Sequence, residues 1–172
     1  VYSIPKDMIL NEANIVEIYR SGHSRIPVYD NSHYNDLYDV DVTRNVCGLF
    51  MARQLAIVNS HDDRPLSTLP LARPFIVETS MNMVDLLNLL QEGKGKVAIV
   101  CFKPDEAREA LNNGKAIPQS ADVVGLVTLE DCIEELIQEE IYDEYDKDEI
   151  RELNRVKWVV GRWKAFVKKK KK

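Results

Sequence analysis

Two stretches of this chain repeat one pattern, and a repeat limits the folds open to a sequence more than any single motif does. Gly22-His23-Ser24-Arg25-Ile26-Pro27-Val28-Tyr29 aligns with Gly93-Lys94-Gly95-Lys96-Val97-Ala98-Ile99-Val100: a glycine, two intervening residues, one basic residue, then an apolar run. Before each stretch the spacing predicts an amphipathic helix. Its apolar face carries Ile15, Val16, Ile18 and Tyr19 in the first copy, and Val84, Leu86, Leu87 and Leu90 in the second. After each comes a second strand, Val46-Cys47-Gly48-Leu49-Phe50 or Val124-Gly125-Leu126-Val127. Gly48 then matches Gly125, Met51 matches Thr128, and Gln54 matches Asp131. Two copies of helix–strand–strand–helix indicate a duplicated unit. Neither copy alone has the size to bury a large core, so the halves should pack on each other.

The second copy ends in the segment with the most chemistry. Val123 to Val127 reads as a short buried strand interrupted by one close-approach glycine, Gly125. It stops at Thr128, after which Cys132, Ile133, Leu136 and Ile137 fall on one helical face. Strand, Thr-x-x-Asp, helix puts the Thr128 hydroxyl and the Asp131 carboxylate beside the unpaired N–H groups of a helix start. Those N–H groups and the helix dipole favour a phosphate, and a carboxylate accepts hydrogen bonds from ribose hydroxyls. The competing reading is a capping box, with Thr128 as N-cap and Asp131 reaching back.

These residues resemble the tandem cystathionine-β-synthase (CBS) domain pair, or Bateman module, of the cyclin-M (CNNM) and CorC-type magnesium transport proteins. The likeness is carried by Gly22 to Tyr29, by Pro65-Leu66-Ser67-Thr68-Leu69, and by Gly93 to Val100. It continues through Val124-Gly125-Leu126-Val127-Thr128-Leu129-Glu130-Asp131-Cys132-Ile133-Glu134-Glu135 and Ile137 to Glu144. It implies a mixed α/β (α+β) fold of two CBS repeats, each a short mixed sheet with flanking helices, packed pseudo-symmetrically. The expected division is residues 1–64 for the first repeat, 65–142 for the second and 143–172 for a charged tail.

The resemblance also implies a ligand. In CBS pairs that bind adenosine phosphates the purine lies between the halves. Carried over position by position, Thr128 would hold phosphate or ribose and Asp131 the ribose. His23 and Ser24 would flank the base, Arg25 would stand near the phosphates, and Ile26 and Pro27 would form an apolar wall. An arginine fork suits oxyanions; the alternatives are a surface salt bridge for Arg25 and an exposed turn for His23. The second cleft offers Met51 and Gln54 in place of hydroxyl and carboxylate, with Lys96 as its remaining cation, so one nucleotide per chain is expected. The family's Met-Thr-Pro segment is missing or lies upstream of Val1. The implied function is a cytosolic regulatory module of a divalent-cation transport membrane protein, binding ATP with Mg²⁺ and pairing into a homodimer through apolar helix faces. The alternatives are a protein–protein interaction module without nucleotide, or a CBS pair regulating another type of membrane transporter.

Composition narrows the classes further. The net charge is -5, which argues against nucleic acid as a partner. No apolar stretch approaches the length of a membrane span, so the fragment itself is expected to be soluble, at the cytosolic face of a membrane beside the transmembrane domain of the same protein. Cys47, Cys101 and Cys132 sit in apolar runs without metal-ligand spacing and read as reduced core thiols. No Ser-His-Asp or Cys-His arrangement, His/Cys cluster or Walker-type loop is present, so no enzyme is expected. Two insertions interrupt the repeat. Residues 30–45 read as a surface loop. Residues 103–122 read as a loop with a helix from Asp105 to Leu111 closed by Asn112-Asn113-Gly114. In animal relatives the second loop docks a tyrosine phosphatase through an Asp-Pro-aromatic tip. Here Pro118-Gln119-Ser120 stands there instead, which makes that partner doubtful. Glu134 to Glu149 reads as an acidic solvated face. Arg151 to Val167 reads as a basic amphipathic helix, and Lys168 to Lys172 as a disordered tail or an artificial extension.

Overall fold

Each half of the duplication folds as a three-stranded mixed sheet in the computed structural model, which describes residues 1–30, 45–92 and 95–137. In the first, β1 (Ile4–Pro5) runs parallel to β2 (Arg25–Tyr29), and β3 (Val46–Met51) lies antiparallel on its other side. In the second, β4 (Phe75–Glu78), β5 (Val97–Cys101) and β6 (Val123–Thr128) repeat that order and those directions. A parallel pair needs a crossover, supplied by α1 (Glu12–Arg20) in the first half and α2 (Met83–Glu92) in the second. Side-chain caps start both helices. Asn11 Oδ1 accepts the Asn14 N–H at 3.0 Å, and Asn82 Oδ1 accepts the Asp85 N–H at 2.9 Å.

Strand register corrects the sequence alignment by one residue. Arg25 lies opposite Met51 while Val97 lies opposite Thr128, so the counterpart of Arg25 is Val97 rather than Lys96. Both halves then bulge at the same place, after Val28 and after Val100, passing over Cys47 and Val124 just before the matched glycines. Main-chain bonds agree: the Ala52 N–H donates to Ser24 O and the Leu129 N–H to Lys96 O, each at 3.1 Å. Lys96 is therefore the counterpart of Ser24. Gly48/Gly125 and Met51/Thr128 match as the sequence predicts.

Alternation along β2 and β5 divides the core. Ile26 and Val28 turn to one face, with Ile4, Leu10, Ile18 and Phe50. Ala98 and partly buried Val100 pack with Leu86, Leu90, Val77 and Cys132. The opposite face of the second sheet, with Ile76, Ile99 and Cys101, meets Val46 of the first, which joins the two halves in one cluster. The contacts group residues 1–136 as one compact unit, and 137–172 as another that lies, beyond Ile137, outside the described residues.

Several expectations change. β6 is not buried: it is an edge strand, none of its residues is fully covered, and bulged Val124 is 57% exposed. Gly125 is not in close approach to the protein, since a Cβ there would meet nothing within 4 Å. The helix faces are narrower than the apolar pattern, leaving Val16, Tyr19 and Val84 outside the core because nine- or ten-residue helices touch their sheets along one stripe only. The first copy closes in a short 3₁₀ helix, Ala52–Ile57, where the second has α4 (Leu129–Ile137). Residues 103–122 are no loose loop. α3 (Pro104–Asn112) starts with Pro at its first turn and ends before Gly114, whose φ of +68° needs glycine. Ala107, Leu111, Ile117 and Ala121 are buried in the joint core. Residues 31–44, the acidic run from 138 on, the expected basic helix and the lysine tail lie outside the described residues.

Candidate functional site

Between the two sheets lies an open apolar cleft. Its walls follow the duplication: Pro27 and Val46 from the first half answer Ile99 and Val123 from the second. Gly125 and Leu126 of β6 complete one side, and Val1 and Ser3 the other, Ser3 being the single polar residue in the lining. An apolar lining of this kind suits the flat face of a ring rather than a charged group.

Thr128 follows Leu126 by two residues and so shares its face of β6. There the structure forms the reciprocal capping box. Asp131 Oδ2 accepts the Thr128 N–H at 2.7 Å, and Thr128 Oγ1 accepts the Asp131 N–H at 3.2 Å. The cap uses one carboxylate oxygen, and the pair stays at the surface, with Asp131 exposed. The two expected readings of this motif therefore share one geometry: a pre-set helix start whose side chains still face solvent.

The remaining residues are distributed unevenly. Pro27 is in the cleft wall as expected. Ile26 is turned the other way by strand alternation and is fully covered by the first core. Arg25, two residues before Pro27, is half-buried on Pro27's face of β2, opposite Met51 in the strand pairing. Ser24 is exposed and gives its carbonyl to Ala52. His23 is exposed and stacks on Tyr2, ring centroids 5.8 Å apart and planes inclined by 27°. The Tyr2 hydroxyl is covered and faces the Glu17 carboxylate. Burial, then the neighbouring Glu17 carboxylate, raises its pKa. The sequence did not single out Tyr2, nor Lys96 as a neighbour of Thr128. A strand-register argument from the two bulge glycines would have found Lys96.

Gln54 copies part of the cap in the first half: its Oε1 accepts the Met51 N–H at 3.1 Å. The three cysteines are free thiols. Burial pushes Cys47 up to about 11, and also raises Cys101 and Cys132. Among the described residues no group of His, Cys, Asp or Glu is arranged to hold a metal ion, and no helix is long and apolar enough to cross a membrane.

No family model matches the chain. Protein MAM3 of Saccharomyces cerevisiae is 34% identical over 148 residues, 85% of this chain and 18% of that protein. Metal transporter cnnm-1 of Caenorhabditis elegans is 32% identical over 149 residues, 85% of this chain and 16% of that protein. The chain thus spans under a fifth of the length of these relatives. Among solved structures, the CBS domain of the bacterial CNNM/CorC family Mg²⁺ transporter in complex with ATP superposes with a TM-score of 0.55 at 25% identity, covering 81% of this chain and 80% of that one. Another structure of the CBS domain of the bacterial CNNM/CorC family Mg²⁺ transporter gives 0.54 at 27% identity, covering 83% and 71%. The paired sheets, the duplicated crossovers and these likenesses agree: the chain belongs to the CNNM/CorC family, as a tandem CBS-domain pair.

Proposed function

We propose that this chain is the regulatory module of a divalent-cation (magnesium) transport membrane protein, and that it binds ATP with Mg²⁺ between its two repeats. The observation that carries this reading is the apolar cleft whose β6 wall leads directly to Thr128 and Asp131. In this reading the purine enters between Pro27 and Leu126, and the carboxylate oxygen of Asp131 outside the cap accepts from ribose. Arg25 and Lys96 are the cations to meet the phosphates. Mg²⁺ offsets the triphosphate charge beside Glu130, Glu134 and Glu135. The ATP complex of a similar CBS domain supports the choice of nucleotide.

The module is a binding device rather than an enzyme. It sits at the cytosolic face of a membrane, its repeats bounded at residues 64 and 65 and followed by the charged tail. Differential affinity of ATP for two conformations passes to the protein's transmembrane domain. Exposed Val16 and Tyr19 on α1, with Val84 on α2, are the faces through which two copies pair.

Calorimetric titration with ATP, ADP and AMP, with and without Mg²⁺, tests the reading. One nucleotide per chain is expected, with Asp131→Ala weakening binding about ten- to hundredfold through one lost charge-assisted hydrogen bond. No heat with any adenosine phosphate would favour an interaction module, and the exposed Phe102 and Val124 at the base of the 103–122 insertion would be the surface to probe.

A further inference from the structure

The first repeat's counterpart of the Thr128–Asp131 turn is occupied by the protein itself. Gln54 keeps one half of Asp131's work, accepting the N–H of Met51. Its other atom has the opposite hydrogen-bonding sense. Gln54 Nε2 donates, at 2.9 Å, to the carbonyl of Pro70 in the segment joining the two repeats. A carboxylate at this position would set lone pairs against that carbonyl. The next residue, Leu71, lies against Gly48: a Cβ on Gly48 would stand 2.8 Å from Leu71 Cβ and 3.1 Å from Ala72 O. Ala72 then exchanges both main-chain hydrogen bonds with Leu49, each 2.8 Å, as an antiparallel bridge. Three consecutive linker residues are thus held by three different devices: a side-chain amide, a missing Cβ and a main-chain pair.

We propose that the end of β3, from Gly48 to Gln54, is a peptide-binding site filled in cis by the linker Pro70–Leu71–Ala72, with Gln54 determining what it takes. The amide donor at Gln54 selects a main-chain carbonyl, where the carboxylate of Asp131 selects hydroxyl donors. Gly48 makes the room for an apolar side chain, Leu71, beside that carbonyl. The ligand class is an extended apolar peptide. The site excludes a nucleotide because its own chain is already there and because its polar group has the wrong sense for ribose. The comparison with Asp131 rests on the nucleotide reading of the second repeat; the peptide site itself does not.

The test uses the whole chain without nucleotide, following amide hydrogen exchange by NMR in wild type and in Gln54→Glu. Glutamate preserves side-chain length and the acceptor for Met51, and removes the donor to Pro70. The expected result is exchange about ten- to hundredfold faster at Ala72 and Leu49, with Ile99 and Val100 of the second sheet unchanged. Unchanged protection at Ala72 would overturn the proposal. So would equal acceleration in both sheets, since Gln54 would then act only on global stability. A parallel ATP titration of Gln54→Glu reads the second repeat separately, so failure of the nucleotide reading leaves the exchange result intact.

Discussion

Replacing each of the two matched glycines by alanine gives an internally controlled test of the packing. Gly48 has φ +156°, and its added methyl would sit 2.8 Å from Leu71 Cβ and 3.1 Å from a main-chain oxygen, neither the free end of a flexible side chain. Overpacking of this kind costs about 1–3 kcal/mol, and holding alanine in that backbone region adds about 1 kcal/mol. Gly48→Ala should therefore destabilise by about 2–4 kcal/mol, which lowers Tm by about 5–15 °C for a domain of this size. Gly125 has no positive φ and open space where the methyl would point. Gly125→Ala should change stability by no more than about 1 kcal/mol, toward greater stability, because alanine has less freedom to lose on folding. Paired urea titrations check both claims. Equal losses at both positions would show that neither the linker contact at Gly48 nor the open space at Gly125 is as described.

Stability should also fall as pH rises from the ordinary thiol value of 9.0 to about 11. The unfolded chain gives up the Cys47 proton first across that window, and the folded chain retains it because burial raises the group, Lys6 lowering and Asp30 raising it in smaller measure. Urea unfolding at several pH values, repeated with Cys47→Ala, isolates this contribution; an unchanged slope in the variant would remove Cys47 from the account. Asp131→Ala should cost about 0.5–2 kcal/mol of stability for the broken cap, separately from its loss of nucleotide affinity. A variant that loses the cap but keeps full affinity would detach Asp131 from the ligand. ATP should survive prolonged incubation with the purified chain while raising its Tm by mass action. Steady phosphate release abolished by Asp131→Ala would refute the regulatory reading.

The duplicated pattern made the fold legible, because helix periodicity and paired apolar runs are local properties of the chain. The Thr128–Asp131 turn was legible for the same reason: a capping box lies within four consecutive residues. Register was not. Gly93 and Gly95 both stand near the basic residue of the second copy, so comparing the strings leaves a one-residue ambiguity that only cross-strand hydrogen bonding removes. That slip carried Lys96 to the wrong counterpart. It could not reveal that Ile26 and Pro27, adjacent in sequence, face a core and a cleft respectively. Tyr2 was missed because stacking on His23 is a contact between residues distant along the chain. The covered state of the 103–122 insertion was missed because Ala107, Ile117 and Ala121 are spread too sparsely to show a period.

The bond from the Ile117 N–H to Val46 O, 2.9 Å long, ties the insertion of the second repeat to a strand of the first. Leu66 and Leu69, from the segment between β3 and β4, likewise complete the core under α1. These links reach across about seventy residues in one case and more than forty in the other, so they raise contact order and delay closure of either sheet. A growing chain that has emerged only as far as β3 lacks two of its core leucines and the partner of Val46, and its exposed strand edges invite pairing with other chains. The repeats, alike in shape, are therefore not separate folding units. Halves expressed apart should fold only when mixed.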